Sequence, residues 1–291
     1  MHIALATYSG LPDWEVDDQP LHAALEERGH TLVQPAWDDP KVDWPSFDML
    51  LPRTTWNYHL AHESFIAWLT AMDTVTCLMN PLPLLLWNLD KQYLAELEQH
   101  CAPVIPTSWL QKGTVVDLAT ACRADELMHA MVKPSIASTA YGSLHFNTRE
   151  PEEILQAQAH LDTMLTNHDM LLQPYYRHVE EHGEFSLIFI DGQFSHGVQK
   201  IPAEGDYRVQ DDFGASDVPW NPDRSQIDAS SILLSRLPHH PLYARCDYLI
   251  DDKGEMKLVE LELIEPSLFF RHDSTAARRL VSAIEQRACI S

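Results

Sequence analysis

Positive charge is scarce in this chain. Lys and Arg total 20 against 43 Asp and Glu, a net charge of −23, and a surface of that sign repels nucleic acid and anionic membrane. A polyanionic partner is therefore not expected, except where basic residues gather locally. Long apolar runs are also missing. The longest uncharged one, PLPLLLW at 81–87, falls far short of the roughly 20 residues that span a bilayer, and the first residues lack the basic-then-apolar order of a secretory signal. No membrane partner is expected, and cytoplasm is the default location. The cysteines, Cys77, Cys101, Cys122, Cys246 and Cys289, are odd in number, widely spaced and form no CxxC, which argues against a disulfide framework or a thiolate zinc site and for reduced, mostly buried thiols. The dinucleotide fingerprint GxGxxG is absent after the first apolar run, and no Walker A loop occurs. RHVEEHGE sets His178 and His182 four apart, but it is not HExxH and follows a bend rather than a sustained helix, so a zinc site is set aside.

What is present is a chain of 291 residues, 45% hydrophobic, enough to bury a sizeable core and to form two or three linked subdomains. Up to residue 80 strand and helix alternate: HIALAT, QPLHAALEERG, TLVQPAW, FDMLLPRT, HESFIAWLTAMD and TVTCLMN. That rhythm predicts a doubly wound parallel sheet, whose ligands gather at the carboxyl ends of the strands, where residues 7–13 and the RTTWNY loop fall. Arg53 has two readings here, a bidentate partner for a substrate carboxylate or a surface side chain stacked on Trp56. After Asn80 the order changes. PLPLLLWNLDKQYLAELEQH reads as a helix whose second part Asn88 or Asp90 can cap, VIPTSWL as a strand, and HAMVKPS as a strand ending near Lys133. SIASTAYGS is a loop of small residues that can approach a phosphate closely. GEFSLIFIDGQFSHGVQK is a hairpin turning at Asp191 and Gly192, the following loop becomes acidic at Asp211 and Asp212, and 217–240 reads as surface loop with one short helix. DSTAARRLVSAIEQRA is a final helix.

The most informative stretch is YARCDYLIDDKGEMKLVELELIEPSLF at 243–269, two strands joined by a glycine-containing acidic turn. Side chains alternate along a strand, so Glu260 and Glu262 share a face opposite Val259 and Leu261. Asp247 on the partner strand faces them if the register cooperates. Carboxylates this close need counter-charge, and hard oxygen ligands in this number suit Mg²⁺ with phosphate oxygens completing its shell. A solvated acidic face on an edge strand is the plainer alternative. A glycosidase is set aside, because neighbouring glutamates on one strand do not flank a sugar from opposite sides.

Taken together, Lys91 after NLD, Lys133 in VKP, LLQPYY, GEFSLIFIDG, KIPAEGDYR, the ARCD strand and ELELIEPS resemble, in order and spacing, the ATP-grasp superfamily of carboxylate ligases. The similarity runs from about residue 81 onward and is nearest the glutathione synthetase and RimK-like branch. Within it, ALATYSGLPDWEVDDQPL and LLPRTTWNYHL resemble the cycloserine-forming O-ureido-serine cyclo-ligases. The resemblance implies an α/β protein, an ATP-grasp fold with a preceding doubly wound parallel α/β domain. Its divisions would be 1–80, 81–175 (small subdomain with connecting helix) and 176–291 (metal-binding subdomain). It also implies roles. Lys91 and Lys133 would hold phosphate oxygens, with the loop at 138–143, Ser138 and Gly142 included, closing over them. Gln173, Pro174, Tyr175 and Tyr176 would meet adenine, and Glu184 the ribose hydroxyls. Lys200 and Arg208 would steady the transferring phosphoryl group. Asp247, Glu260 and Glu262 would hold Mg²⁺, one ion or two. Arg53, Trp56, Ser267 and Arg271 would wall a compact pocket for an amino-acid-like substrate. The chain departs from the family at Glu262, where Asn is usual, and at Gln210, where Asn is common. An added charge at Glu262 would tighten metal binding or slow its release.

The activity so implied is activation of a carboxylate by ATP as an acyl phosphate and its capture by a nitrogen nucleophile. The nucleophile belongs to the same molecule in a ring closure, or to a second amino acid in an intermolecular ligase. A non-catalytic nucleotide-binding scaffold or sensor would have no need of Arg208 or of the carboxylate set. Homo-oligomerisation is left open.

Overall fold

A computed structural model describes residues 1–11, 13–100, 102–210 and 213–288. Cys101, Cys289, Asp211 and Asp212 lie outside them. Cys122 and Cys246 are buried and Cys77 half-buried, without a disulfide among the described residues. No described helix is long and apolar enough to cross a membrane.

The N-terminal unit runs β1 (His2–Ala6), α1 (Gln19–Glu27), β2 (Thr31–Val33), β3 (Met49–Pro52), α2 (His62–Val75) and β4 (Cys77–Leu78). Its strands are parallel in the order β2-β1-β3-β4, as the alternation of strand and helix requires. One face packs an aromatic cluster, with Trp37 edge-on to Phe65 and Trp44 edge-on to Trp68. The other face packs on α1 and on the last helix of the chain.

The middle of the chain runs α3 (Leu82–Asn88), α4 (Tyr93–Gln99), β5 (Ser108–Leu110), α5 (Leu118–Ala124), β6 (His129–Pro134), β7 (Leu144–Asn147), α6 (Pro151–Leu165) and β8 (Met170–Pro174). Its sheet is antiparallel, in the order β5-β8-β6-β7. The single helix expected from 81 is broken here. Lys91 N–H turns out of the helix to Ser135 O at 2.9 Å. Asn88 does not cap α4. Its amide donates to Leu261 O at 2.7 Å and accepts from Leu263 N–H at 2.8 Å. Of VIPTSWL only the last residues form a strand, since Pro106 has no N–H to offer a ladder.

The third part runs α7 (His178–His182), β9 (Glu184–Ile190), β10 (Gln193–Ile201), β11 (Ser216–Trp220), α8 (Arg224–Ser235), β12 (Tyr243–Ile250), β13 (Met256–Glu262) and α9 (Ala276–Ala288). Its antiparallel sheet has the order β11-β10-β9-β12-β13. The β9–β10 turn uses Asp191 and Gly192, both at positive φ (47° and 71°), the backbone that a tight hairpin demands. β11 lies where the sequence reads as loop. SDVPW contains Pro219, and a proline strand is tolerated at a sheet edge, where β11 pairs with β10 alone. α9 carries Leu280, Val281 and Ile284 back across the molecule onto α1, closing the core begun by Ile3, Leu5, Leu21 and Leu25. Arg28–Glu285 and Arg278–Glu27 ion pairs seal the rim of that contact.

Candidate active site

A cleft of about 300 Å³ opens between the middle sheet and the β9–β13 sheet, with the RTTWNY loop of the N-terminal unit at one end. Its floor is the paired strands β12 and β13. Their register sets Asp247 opposite Glu260 and Arg245 opposite Glu262, and a bulge follows Asp247. Pleating therefore directs all four of these side chains to one face. Asp247 is buried, accepting from Ser186 Oγ and from Arg245 Nε at 3.0 Å. Glu260 pairs with Lys91 Nζ at 3.0 Å, and Glu262 with Arg245.

Among the described residues the three carboxylates do not form a group with ligand atoms within 4.8 Å of one another. Lys91, Arg245 and Lys200 are interleaved with them instead. Burial raises every carboxyl here, and the neighbours decide the outcome. Asp247 ends below its usual range because Arg245 and Lys200 flank it, and Glu260 because Lys91 and Lys133 do. Glu262 is pushed up to about 7 by burial, with Arg245 opposing and Asp247 and Glu260 adding to the rise. The donor set is all hard oxygen, and Glu262 lacks full counter-charge while keeping 27% of its side chain open to the cleft. Glu260 and Glu262 therefore fit a divalent cation of the Mg²⁺ kind, whereas Asp247, expected to join them, is 1% exposed, is held by Arg245, Ser186 and Lys200, and does not line the cleft.

The cations come from separate elements. The helix break places Lys91, which also donates to Ala137 O at 2.8 Å. β6 delivers the half-buried Lys133, whose side chain makes no hydrogen bond or ion pair with a described residue and whose pKa desolvation lowers. β10 delivers Lys200, paired with Glu184 and 3.6 Å from Asp247. β9 enters tightly against β10 because Gly183 has φ +67°, and a Cβ there would sit 1.8 Å from Lys200 O. Glu184, expected to face a ribose, thus holds Lys200 here. Arg208 reaches the cleft from its loop, gripped by Asp206 (Nη2–Oδ2 2.7 Å) and lying over Phe213 at 3.7 Å.

The hinge residues line the cleft as expected. Gln173 donates to Thr107 Oγ1 at 2.9 Å. Tyr175 stacks on His145 (4.6 Å, 18°) and donates to Glu180 at 2.8 Å. With Pro174 and Tyr176 they face Ile105, Met131, Leu249, Val259 and Leu261, an apolar slot for a flat ring. The small-residue loop bends through positive φ at Thr139, Ala140 and Gly142. Ser138 is tied to Trp56 O and to His59 Nδ1 (2.8 Å). Gly142 is not a cleft residue. It turns the loop where a Cβ would meet Met164 at 2.6 Å.

Two expected substrate residues are elsewhere. Arg53 is fully buried and grips Asp18 through Nε (3.0 Å) and Nη2 (2.7 Å), since a guanidinium out of water needs a close counter-ion. Neither the substrate fork nor the exposed stack on Trp56 describes it. Arg271 is held by Asp17 and Asp217 (3.0 Å each) over the Phe269 ring. Trp56 and Ser267 do line the cleft, Trp56 donating to Glu265 O at 3.2 Å. Sequence reasoning missed Arg245, although its place two residues before Asp247 puts it on the same strand face. It also missed Glu265, which follows the strand end, where periodicity carries no signal. His178, Glu181 and His182 form the described group with ligand atoms within 4.8 Å of one another, on a single exposed turn of helix outside the cleft.

A parallel α/β unit leading into two antiparallel sheets, with lysines and carboxylates facing one another across a cleft, defines an ATP-grasp ligase. The crystal structure of D-alanine–D-alanine ligase from Bacillus anthracis shares that fold, at TM-score 0.70 over 100% of this chain and 98% of that one, with 13% identity. Residues 3–80 match the family described as D-cycloserine synthetase DcsG, N-terminal domain. The cycloserine biosynthesis protein DcsG of Streptomyces lavendulae is 30% identical over 98% of both chains. A crystal structure of D-cycloserine synthetase DcsG superposes at TM-score 0.86, with 29% identity, covering 99% of this chain and 100% of that one. The chain belongs to the DcsG family of ATP-grasp ligases.

Proposed function

We propose that this ligase activates the carboxylate of a small amino-acid-like substrate with Mg-ATP and closes a ring by attack of a nitrogen in the same molecule, as in cycloserine formation from O-ureido-D-serine. The observation that carries the ATP reading is Lys133, a half-buried lysine that lines the cleft and whose side chain makes no hydrogen bond or ion pair with a described residue, while Lys91 and Arg245 hold Glu260 and Glu262. A triphosphate supplies what it lacks.

Lys91 and Lys133 hold phosphate oxygens, and the slot behind Tyr175 and Tyr176 takes adenine. Glu184 is exchanged from Lys200 to the ribose, releasing the ammonium toward the γ-phosphate. Arg208, swinging from Asp206, steadies the same group. A substrate carboxylate oxygen attacks the γ-phosphorus, ADP leaves, and an acyl phosphate remains. The ureido nitrogen bonded to oxygen attacks its carbonyl carbon, inorganic phosphate departs, the nitrogen gives up a proton, and water then removes the carbamoyl group of the closed ring as carbon dioxide and ammonia to leave cycloserine. Glu260 and Glu262, joined by Asp247 once it parts from Arg245, would hold Mg²⁺, which when bound neutralises phosphate charge. The protein's contribution is positioning and fixed charge, and intramolecular capture profits from a large effective concentration, on the order of 10⁵ M when well aligned. The three-way division near residues 80 and 175 belongs to this reading.

The test is to incubate the enzyme, Mg²⁺ and ATP with O-ureido-D-serine alone and then with pairs of amino acids, following ADP and product mass. ADP and a cyclic product from the single substrate are expected. ADP only with two amino acids present would replace this reading with an intermolecular ligase.

A further inference from the structure

At the substrate end of the cleft a buried carboxylate is without a cation. Glu265 follows β13 and is nine-tenths buried, yet it lines the cleft. Its backbone carbonyl receives the Trp56 indole, and its carboxylate meets its own backbone N–H but no cation and no donor of another described residue. The neighbouring cations are engaged elsewhere: Lys91 with Glu260, Lys200 with Glu184 and Asp247, Arg245 with Asp247 and Glu262. Arg53, the cation this end of the molecule could have offered, is closed on Asp18. Burial pushes the Glu265 carboxyl well above its usual range, and Glu262 and Glu260 add to the rise. A carboxylate so placed is satisfied only by a proton or by a cation that arrives from the cleft.

We infer that Glu265 is an ammonium subsite, the counter-ion for the α-ammonium of the substrate. This rests on the amino-acid-like substrate proposed above and deepens it. Trp56 fixes the backbone of the subsite, and Ser267 and Arg245 line the same cleft, so a small substrate can reach Glu265 with its ammonium while its carboxylate meets the rest of the site. Pairing with Glu265 favours the protonated amine. A protonated α-nitrogen has no lone pair to attack the acyl phosphate, so the subsite also directs capture to the ureido nitrogen bonded to oxygen.

The experiment compares O-ureido-D-serine with its des-amino analogue, 3-(ureidooxy)propanoate, using wild type, Glu265→Gln and Glu265→Asp, and reading ADP release. Wild type alone should favour the amine-bearing substrate on the order of a hundredfold in kcat/KM, the scale of leaving one buried charge unpaired. Glu265→Gln should lose most of that preference, chiefly through KM for the amine-bearing substrate, with the analogue and Mg-ATP changed less than about threefold. Glu265→Asp should fall between them. Equal loss on both substrates, or a parallel fall in Mg-ATP affinity, would assign Glu265 to the phosphate and metal side and overturn the inference. An unchanged preference would overturn it alone and leave the ligase reading standing. Absence of ADP from wild type with either compound would remove both.

Discussion

On β13 the Glu260 carboxylate meets Lys91, while Glu262 on the same strand face meets Arg245. Glu260→Gln keeps the volume and removes the charge. Turnover should fall about a hundredfold or more, with a thermal midpoint close to wild type, and unchanged turnover would take Glu260 out of the site. Arg208→Lys tests the loop cation. A lysine cannot reproduce a planar fork that fits Asp206 and lies on Phe213, so the single-turnover rate should drop roughly ten- to a thousandfold. A near-wild-type rate would return Arg208 to the surface. At this scale the sequence was legible where spacing alone decides direction: the period of two placed Glu260 and Glu262 together, and the hairpin brought Asp247 opposite. It was not legible where partners are remote in the chain. Nothing local to Arg53 announces Asp18, 35 residues earlier, and nothing local to Asn88 announces β13.

β13 is an edge strand, and its outward backbone would be open to water or to another strand. Side chains of the preceding linker cover it. Asn80 donates to Leu263 O at 2.8 Å, Asn88 bonds Leu261 O and Leu263 N–H, and the Tyr93 hydroxyl accepts from Leu261 N–H at 3.0 Å. The strand that carries Glu260 and Glu262 is thus pinned by the segment that carries Lys91. Asn88→Ala leaves a buried donor and acceptor unmatched, which should cost about 2 kcal/mol of stability, read as a thermal midpoint several degrees lower. A midpoint within a degree of wild type would mean that water replaces the amide. Hydrophobic period found both helices of this linker but ran them together. The break at 89–92 answers to Ser135 and Ala137, tertiary partners of Lys91 that no local pattern encodes. β11 was lost for a similar reason, since its Asp, Pro and Trp read as loop until a neighbouring strand is there to pair with.

For the whole molecule, a chain of net charge −23 gathers carboxylates at a cleft meant for a polyanion, and the lysines there do not balance both. ATP should therefore bind at least tenfold more weakly in EDTA than with Mg²⁺ by calorimetry, and equal affinity would sink the metal assignment. The βαβ order of the first unit was readable because each step is local. The place of α9 was not, because an amphipathic helix says that it has a face to bury and not where. That place sets a timetable for synthesis. α1 leaves the ribosome long before α9, so Leu21 and Leu25 wait for Leu280, Val281 and Ile284. Until then the N-terminal unit is a half-closed shell whose sticky face is kept soluble by whatever shields nascent chains. Ribosome-bound chains halted before residue 276 should remain open to protease within α1, and released full-length chains should resist it.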